Sequence, residues 1–412
     1  MSRVRRDIGS TFVANAIGAG AAFVGGIVLA RWLGPGLRGL FELGLFVANS
    51  ALLVLSLGVN LPVSVFGTQE PARGIWAYRF GLWWLMGLLA VGGLVLATTQ
   101  LEQAIALGTL AAFAALFFNQ QVNALLVGVG RIGWLNLGVA ARWFTYLCGL
   151  LGLWLWAPAD AQVGLGWFAA SALVGTSVAA WGIGVGRGMG EEGRVDRSAR
   201  LASEATGNRW NTLWFGMRGQ LSNIFQFASY RFDVVLVSLW VGKQGLGVYA
   251  VGVMFAEALW LLPNALGTVL LSHTPRSTRA EADRRLAALL PTALAVVGVG
   301  AAGMSVAAPF AVRWYLGAGY REVPVVTWCL MPGAVALSGA KVLANELTAR
   351  GFPGINAIIA AVGAVVTVAC DVLLIPKFGI VGAAVASSIG YTLILVMMWR
   401  AFRQRFPRVR AA

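Results

Sequence analysis

The chain has 412 residues, 58% of them hydrophobic and only 11% charged, with a formal net charge of +15. Soluble domains carry roughly 45–50% apolar and about 25% charged residues, so this composition excludes a string of water-soluble domains. Its 53 glycines and 17 tryptophans suit closely packed membrane helices with interfacial aromatic anchors.

A spanning helix needs about 20 apolar residues, and twelve such runs follow one another. The first six are Gly9–Ala30, Gly39–Val65, Trp76–Ala97, Ala104–Val127, Leu135–Trp156 and Val163–Val185. The second six are Leu213–Val241, Leu246–Leu271, Ala287–Val312, Val323–Leu347, Ile355–Leu374 and Val381–Trp399. Barrel strands would be shorter and strictly alternating. The expected fold is therefore an all-α polytopic membrane protein of about twelve transmembrane helices. The first run follows Arg3, Arg5 and Arg6 but is too long for the apolar core of a cleaved signal peptide; it reads as a retained helix.

Lys and Arg gather on the cytoplasmic side of membrane proteins. With the N-terminus inside, 21 of the 31 basic residues fall in cytoplasmic segments, six in outer loops and four within spans. Both termini are thus expected in the cytoplasm, in a multi-pass protein of the inner (plasma) membrane. The positive charge then lies beside anionic lipid headgroups, and no nucleic-acid partner is expected.

The longest polar stretch, Arg187–Asn211, divides the runs six and six. The expected organisation is an N-terminal six-helix lobe over 1–190, a cytoplasmic linker over 191–211, and a C-terminal six-helix lobe with a basic tail over 212–412. The halves look related. At an offset of 208, Trp32, Gly34, Gly39 and Gly44 fall on Trp240, Gly242, Gly247 and Gly252. A weaker echo sets Asn136 on Asn356. Both halves start in the same orientation, so the repeat would be parallel, with substrate sites near the midplane.

Catalytic chemistry has little to work with. Cys148, Cys329 and Cys370 each lie in an apolar run and read as small buried hydrophobes. The lone His273 leaves no histidine metal site and no Ser-His-Asp triad. No GxxxxGK[ST] loop occurs, so ATP is not hydrolysed. Neither enzymatic activity, a metal nor a cofactor is expected; work would come from a proton or sodium gradient, or the movement would be downhill.

Charged residues inside the membrane are expensive and face a partner or a cavity. On the seventh run, Asn223, Gln226, Tyr230 and Asp233 form one stripe. Arg218 and Arg231 lie elsewhere on that helix, and Arg231 and Asp233, two apart, cannot pair with each other. Either they join an interhelical salt bridge that holds the bundle, or they meet substrate. Glu257, Trp260, Asn264 and Thr268 make a second stripe; Glu257 and Asp233 are the candidates for ion coupling, with a structural pair to Arg231 as the plain alternative. Ser338, Lys341, Asn345 and Thr348 share a third face, on which Lys341 is close enough to the helix end to snorkel. Arg142 is too deep for that. Asn119, Gln120, Gln121 and Asn123 read as interhelical hydrogen bonding or sugar contact. Counting Arg142, Arg218, Arg231 and Lys341 against Asp233 and Glu257 gives a cationic surplus, which suits a phosphate or diphosphate headgroup.

Four stretches occur in order: RWLGPGLRG, then YRFDVVLVSLWVGKQGLGVYAVGVMFAEALWLLPNALGTVLLSHTPRST, then LGAGYREVPVVTWCLMPG, then LLIPKFGIVGAAVASSIGYTL. In these the chain resembles polysaccharide-biosynthesis proteins of the O-antigen flippase type, within the multidrug/oligosaccharidyl-lipid/polysaccharide (MOP) exporter superfamily. The resemblance implies two six-helix lobes around a central cavity that opens alternately to each side. It implies export of a polyprenyl-diphosphate-linked oligosaccharide, with membrane lipids and other polysaccharide-assembly proteins as partners. It sets Arg231 and Asp233 on the family's R-x-D and Glu257 on its helix 8 glutamate. Lipid II flippases usually carry two further helices, which points away from lipid II. The competing readings are a drug/cation antiporter of the same fold, a membrane glycosyltransferase or polymerase, which the short outer loops disfavour, and a non-transporting scaffold.

Overall fold

The computed structural model describes residues 2–69, 71–98, 103–185, 209–260, 263, 264, 266 and 278–406. His273, Thr268 and most of the expected 191–211 linker lie outside them. Among the described residues every regular element is helical: α1 (Ser2–Leu55), α2 (Asn60–Gln69), α3 (Pro71–Thr98), α4 (Gln103–Gly128), α5 (Ile132–Trp156), α6 (Ala161–Val185), α7 (Arg209–Trp240), α8 (Gly242–Glu257), α9 (Arg279–Ala311), α10 (Val323–Ala349) and α11 (Pro353–Arg405), with short 3-10 and π turns between.

Eight described stretches are long and apolar enough to cross a membrane. Two of them, Val13–Leu55 and Gly354–Arg405, run 43 and 52 residues, too long for one crossing, and each breaks once. The breaks fall at Gly34 (φ 69) and Gly379 (φ 56), a left-handed conformation that glycine adopts without steric cost. Pro35 and Pro376 beside them remove a backbone donor and favour the kink. Adding the more polar α7 and the 16-residue α8, the chain is a multi-pass membrane protein with about twelve transmembrane helices.

The chain packs as two compact units, Met1–Leu29 with Leu40–Ile224, and Ala30–Gly39 with Phe225–Ala412. In the first, α4 lies against α6, α2 and α3. Small residues let α5 and α6 approach closely: Gly138 faces Gly175 and Ala179, and Gly182 faces Trp134, the packing expected where no hydrophobic force separates helix from lipid. Asn119 donates to Thr176 at 2.7 Å and Asn123 to Asn119 at 3.0 Å, which is the interhelical hydrogen bonding expected of α4.

The second expected span, Gly39–Val65, is not continuous. The helix opens after Leu55, where Leu57 and Gly58 have positive φ, and resumes as α2. In hydrocarbon the carbonyls freed by such a break need donors. Gln220 supplies one to Leu53 O at 2.8 Å, and Trp84 Nε1 one to Leu55 O at 2.7 Å.

In the second unit α10 is central, packed by α11, α9 and α8. Leu286 and Leu290 of α9, Leu337 and Leu343 of α10, and Tyr391, Ile394 and Met398 of α11 form its core. A Thr278–Glu281 capping box starts α9, satisfying donors that a helix start leaves open. Near the other end of α10, Arg350 pairs with Glu346 and Asp283 at 2.7 Å each and lies over the Phe406 ring at 4.4 Å.

The 208-residue repeat is visible in the backbone. Gly242 has φ 87 where Gly34 has φ 69, and each ends the first helix of its half. Gly44 packs on α4 and Gly252 on α10, in each case the fourth spanning helix of its own half. The outward surface is apolar. Trp83, Trp156, Trp181 and Trp314 are all exposed. So is Cys148, contrary to its reading as a buried hydrophobe: it points away from the bundle, where apolar surface faces lipid at no cost.

Candidate functional site

The intramembrane charges are built on helices that their apolar flanks force across the membrane. Arg142 and Arg218 belong to the first unit, Arg231 and Lys341 to the second. Arg142, on α5, is half-buried and holds its guanidinium 5.1 Å from the Trp143 ring and 5.0 Å from the Phe168 ring; its buried Nε has no hydrogen-bond partner among the described residues. The aromatic faces stabilise this cation, by about 2 kcal/mol where water is excluded. Arg218 is exposed on α7, 5.6 Å from Trp214.

In the second unit Arg231 Nη2 meets Glu257 Oε1 at 2.5 Å, with both side chains a little over a quarter exposed. This is the interhelical pair that was the plain alternative for Glu257. Asp233, two residues along, turns inward. It is buried and accepts hydrogen bonds from the Tyr249 hydroxyl and, at 2.8 Å, from the Val234 N–H. Tyr249 lies 3.5 Å from Ser387 Oγ. The helix period thus sends the two members of Arg-x-Asp to different partners.

Lys341 does not snorkel. α10 continues to Ala349, which sets Lys341 roughly 12 Å from that end at 1.5 Å per residue. Its Nζ lies 4.2 Å from the Trp260 ring, 5.7 Å from the Tyr230 ring, and 3.5 Å from Asn264 Oδ1. Asn345, one turn on, is half-buried. Asn223 and Gln226 are exposed; Asn223 donates to Gln220 at 3.2 Å and Gln226 hydrogen-bonds Tyr230. The stripe from Asn223 to Asp233 therefore runs from exposed to buried instead of lining one face throughout.

The buried charges are more numerous than the spacing suggested, on both signs: Arg38 of α1 and Arg350 beside α10 are buried cations. Glu42, Glu346 and Asp371 are also buried, in α1, α10 and α11. Glu346 belongs to the Arg350 pairs. Asp371 is fully buried, and among the described residues neither carboxylate oxygen has a hydrogen-bond partner; Asp233 is its electrostatic neighbour. Asp371 lies within the expected eleventh run, Ile355–Leu374, but was not counted there among the intramembrane carboxylates. The helix continues past Leu374 to the break at Gly379, and the residue is correspondingly deep. Among the described residues no cluster of His, Cys, Asp and Glu could hold a metal by ligand type and number.

No family model matches the chain, and no curated protein sequence matches it. Solved structures do. The lipid II flippase MurJ in an inward closed conformation superposes with a TM-score of 0.67 at 13% identity, covering 96% of this chain and 86% of that one. A Vibrio cholerae MATE transporter mutant gives 0.64 at 12% identity, covering 98% and 97%. A MOP superfamily transporter from Pyrococcus furiosus gives 0.61 at 15% identity, covering 97% and 95%. At such identities the likeness establishes architecture alone, and that architecture is the fold of the MOP superfamily transporters.

Proposed function

We propose that the chain is a flippase. It moves a polyprenyl-diphosphate-linked oligosaccharide from the cytoplasmic to the outer leaflet of the plasma membrane by alternating access, for cell-surface polysaccharide biosynthesis. Both termini lie in the cytoplasm in this reading. The observation that carries it is the state of two intramembrane cations: Arg142 and Lys341 rest on aromatic rings, with no ion pair described for either. A cation so placed keeps its charge for a visiting anion, and a diphosphate is the anion that a lipid-linked glycan brings. The fold is shared with a lipid II flippase, which is consistent with a lipid-linked cargo. Inactivating the protein and assigning the leaflet tests this. Accumulation of lipid-linked oligosaccharide in the inner leaflet supports the reading, and an unchanged distribution overturns it.

A second reading, a drug/cation antiporter, draws on the buried carboxylates Asp233 and Asp371 and on the MATE architecture. Efflux of a cationic dye from liposomes, lost in Asp371→Asn, would favour it over the flippase. In either reading the energy comes from a proton or sodium gradient. Asp371 now joins Asp233 and Glu257 as a coupling group, and Glu257 ranks behind it because Arg231 already neutralises it.

A further inference from the structure

Lys341 lies against two aromatic rings drawn from separate elements, Tyr230 of α7 and Trp260 of the turn after α8, and Tyr391 of α11 packs against both rings. Tyr391 stands edge-on to Tyr230, with centroids 5.8 Å apart at 82°, and to Trp260, 6.5 Å apart at 73°. Tyr391 is part of the hydrophobic core of the second unit, and Tyr230 and Trp260 pack against that core. Asn264 at the rim is exposed. The rings are thus held by packing, Tyr391 buried and Tyr230 and Trp260 half-buried.

Packing a lysine in an apolar protein explains the ring next to its ammonium. It leaves two other features unexplained. The buried Trp260 Nε1–H has no acceptor among the described residues. The ammonium has three N–H donors, and the one acceptor described for it, Asn264 Oδ1, is 3.5 Å away. Unused donors beside aromatic faces match a ligand with both oxygen acceptors and an apolar C–H face. Pyranose sugars have both. A phosphate on the same ligand would answer the ammonium, which as a compact point charge suits phosphate.

We infer that the Lys341–Trp260–Tyr230–Tyr391 cluster is the subsite for the sugar nearest the phosphate of the lipid-linked substrate. The pyranose lies against the Trp260 and Tyr230 rings, Trp260 turns its N–H towards a sugar oxygen, and a phosphate oxygen accepts from Lys341 Nζ. This inference rests on the flippase reading and assigns to the rings the discrimination between glycosylated and bare lipid diphosphate.

The test is binding by calorimetry to the full chain in nanodiscs. The probes are farnesyl diphosphate and the same lipid carrying glucose, galactose or N-acetylglucosamine. Wild-type protein is expected to bind at least one glycosylated probe about tenfold more tightly than the bare lipid. Trp260→Leu should bring that ratio close to one. Trp260→Phe, which keeps a ring and loses the N–H, should retain an intermediate ratio and covers the case in which the leucine variant does not fold. Lys341→Gln should weaken both kinds of probe together. Equal binding of all probes by wild type, or an unchanged ratio in both Trp260 variants, overturns the subsite and leaves the flippase reading standing. Absence of binding by any probe overturns both.

Discussion

Gly39 and Gly247 occupy equivalent positions of the repeat and make the same contact reciprocally: a Cβ on Gly39 would strike the carbonyl of Lys243, and a Cβ on Gly247 the carbonyl of Pro35. Lys243 and Pro35 are themselves 208 residues apart, like the glycines. Each glycine therefore receives the backbone of the other's helix start, as residues related by a local two-fold axis do. Gly39→Ala and Gly247→Ala should each destabilise the protein by about 1–3 kcal/mol, the usual range for overpacking. Gly298→Ala, with nothing near its Cβ, should cost no stability and gain up to about 1 kcal/mol from helix propensity. Thermal unfolding in detergent measures all three, and unequal effects at positions 39 and 247 would argue against equivalence.

A charge-pair prediction follows from Arg231 and Glu257. Glu257→Gln and Arg231→Gln should each cost stability, and the double variant should cost less than their sum. The coupling should fall within about 0.5–3 kcal/mol, the range for residues in contact, and towards its lower end because both side chains are partly exposed. Strict additivity in the double-mutant cycle would remove the pair from the account.

Ion coupling is tested at Asp371. Asp371→Asn keeps the shape and removes the charge, so the variant should fold and lose any dependence of transport on the proton or sodium gradient. Glu257→Gln should retain that dependence if Glu257 serves only Arg231. Wild-type transport indifferent to both gradients would end the coupling hypothesis and leave Asp233, Glu257 and Asp371 as structural groups.

Arg350 closes a knot of three helices through Glu346, Asp283 and Phe406. Arg350→Ala leaves the fully buried Glu346 charge without this partner, and breaking a buried pair costs about 3–5 kcal/mol. The variant should show the largest stability loss of this set, and Glu346→Gln combined with it should recover part. A neutral Arg350→Ala would show that the site relaxes or takes in water.

Orientation is open to direct assay. Reporter fusions after Arg403 and inside the Arg187–Asn211 stretch should both report the cytoplasm. A periplasmic signal at either position would reject the arrangement with both termini inside.

The architecture was readable because bilayer thickness dictates helix length, and the apolar runs record it directly. The turn at Gly34 was legible from its repeated glycine pattern. The break at Leu57–Gly58 was not, because the donors that make it tolerable, Gln220 and Trp84, lie far away in the chain. The partners of the charges divide in the same way. Helical spacing alone ruled out an Arg231–Asp233 pair, and Glu257 was already an alternative partner. That Tyr249 takes Asp233, and that Trp260 takes Lys341, depends on how α7, α8 and α10 pack, which no local pattern encodes. Asp371 was missed although it lay inside an expected run: it belongs to no polar stripe and no charged neighbour marks it in the sequence.

The outward-facing tryptophans also make the protein its own depth gauge. Trp83 lies near the middle of α3, whereas Trp156 is the last residue of α5, and both are exposed. In bilayers of lipids brominated at chosen acyl carbons, heavy-atom quenching falls off within a few ångströms. A variant keeping Trp83 alone should dim most with bromine deep in the chain, and one keeping Trp156 alone with bromine close to the glycerol. The emission of the folded chain would then map the vertical position of each helix in the bilayer.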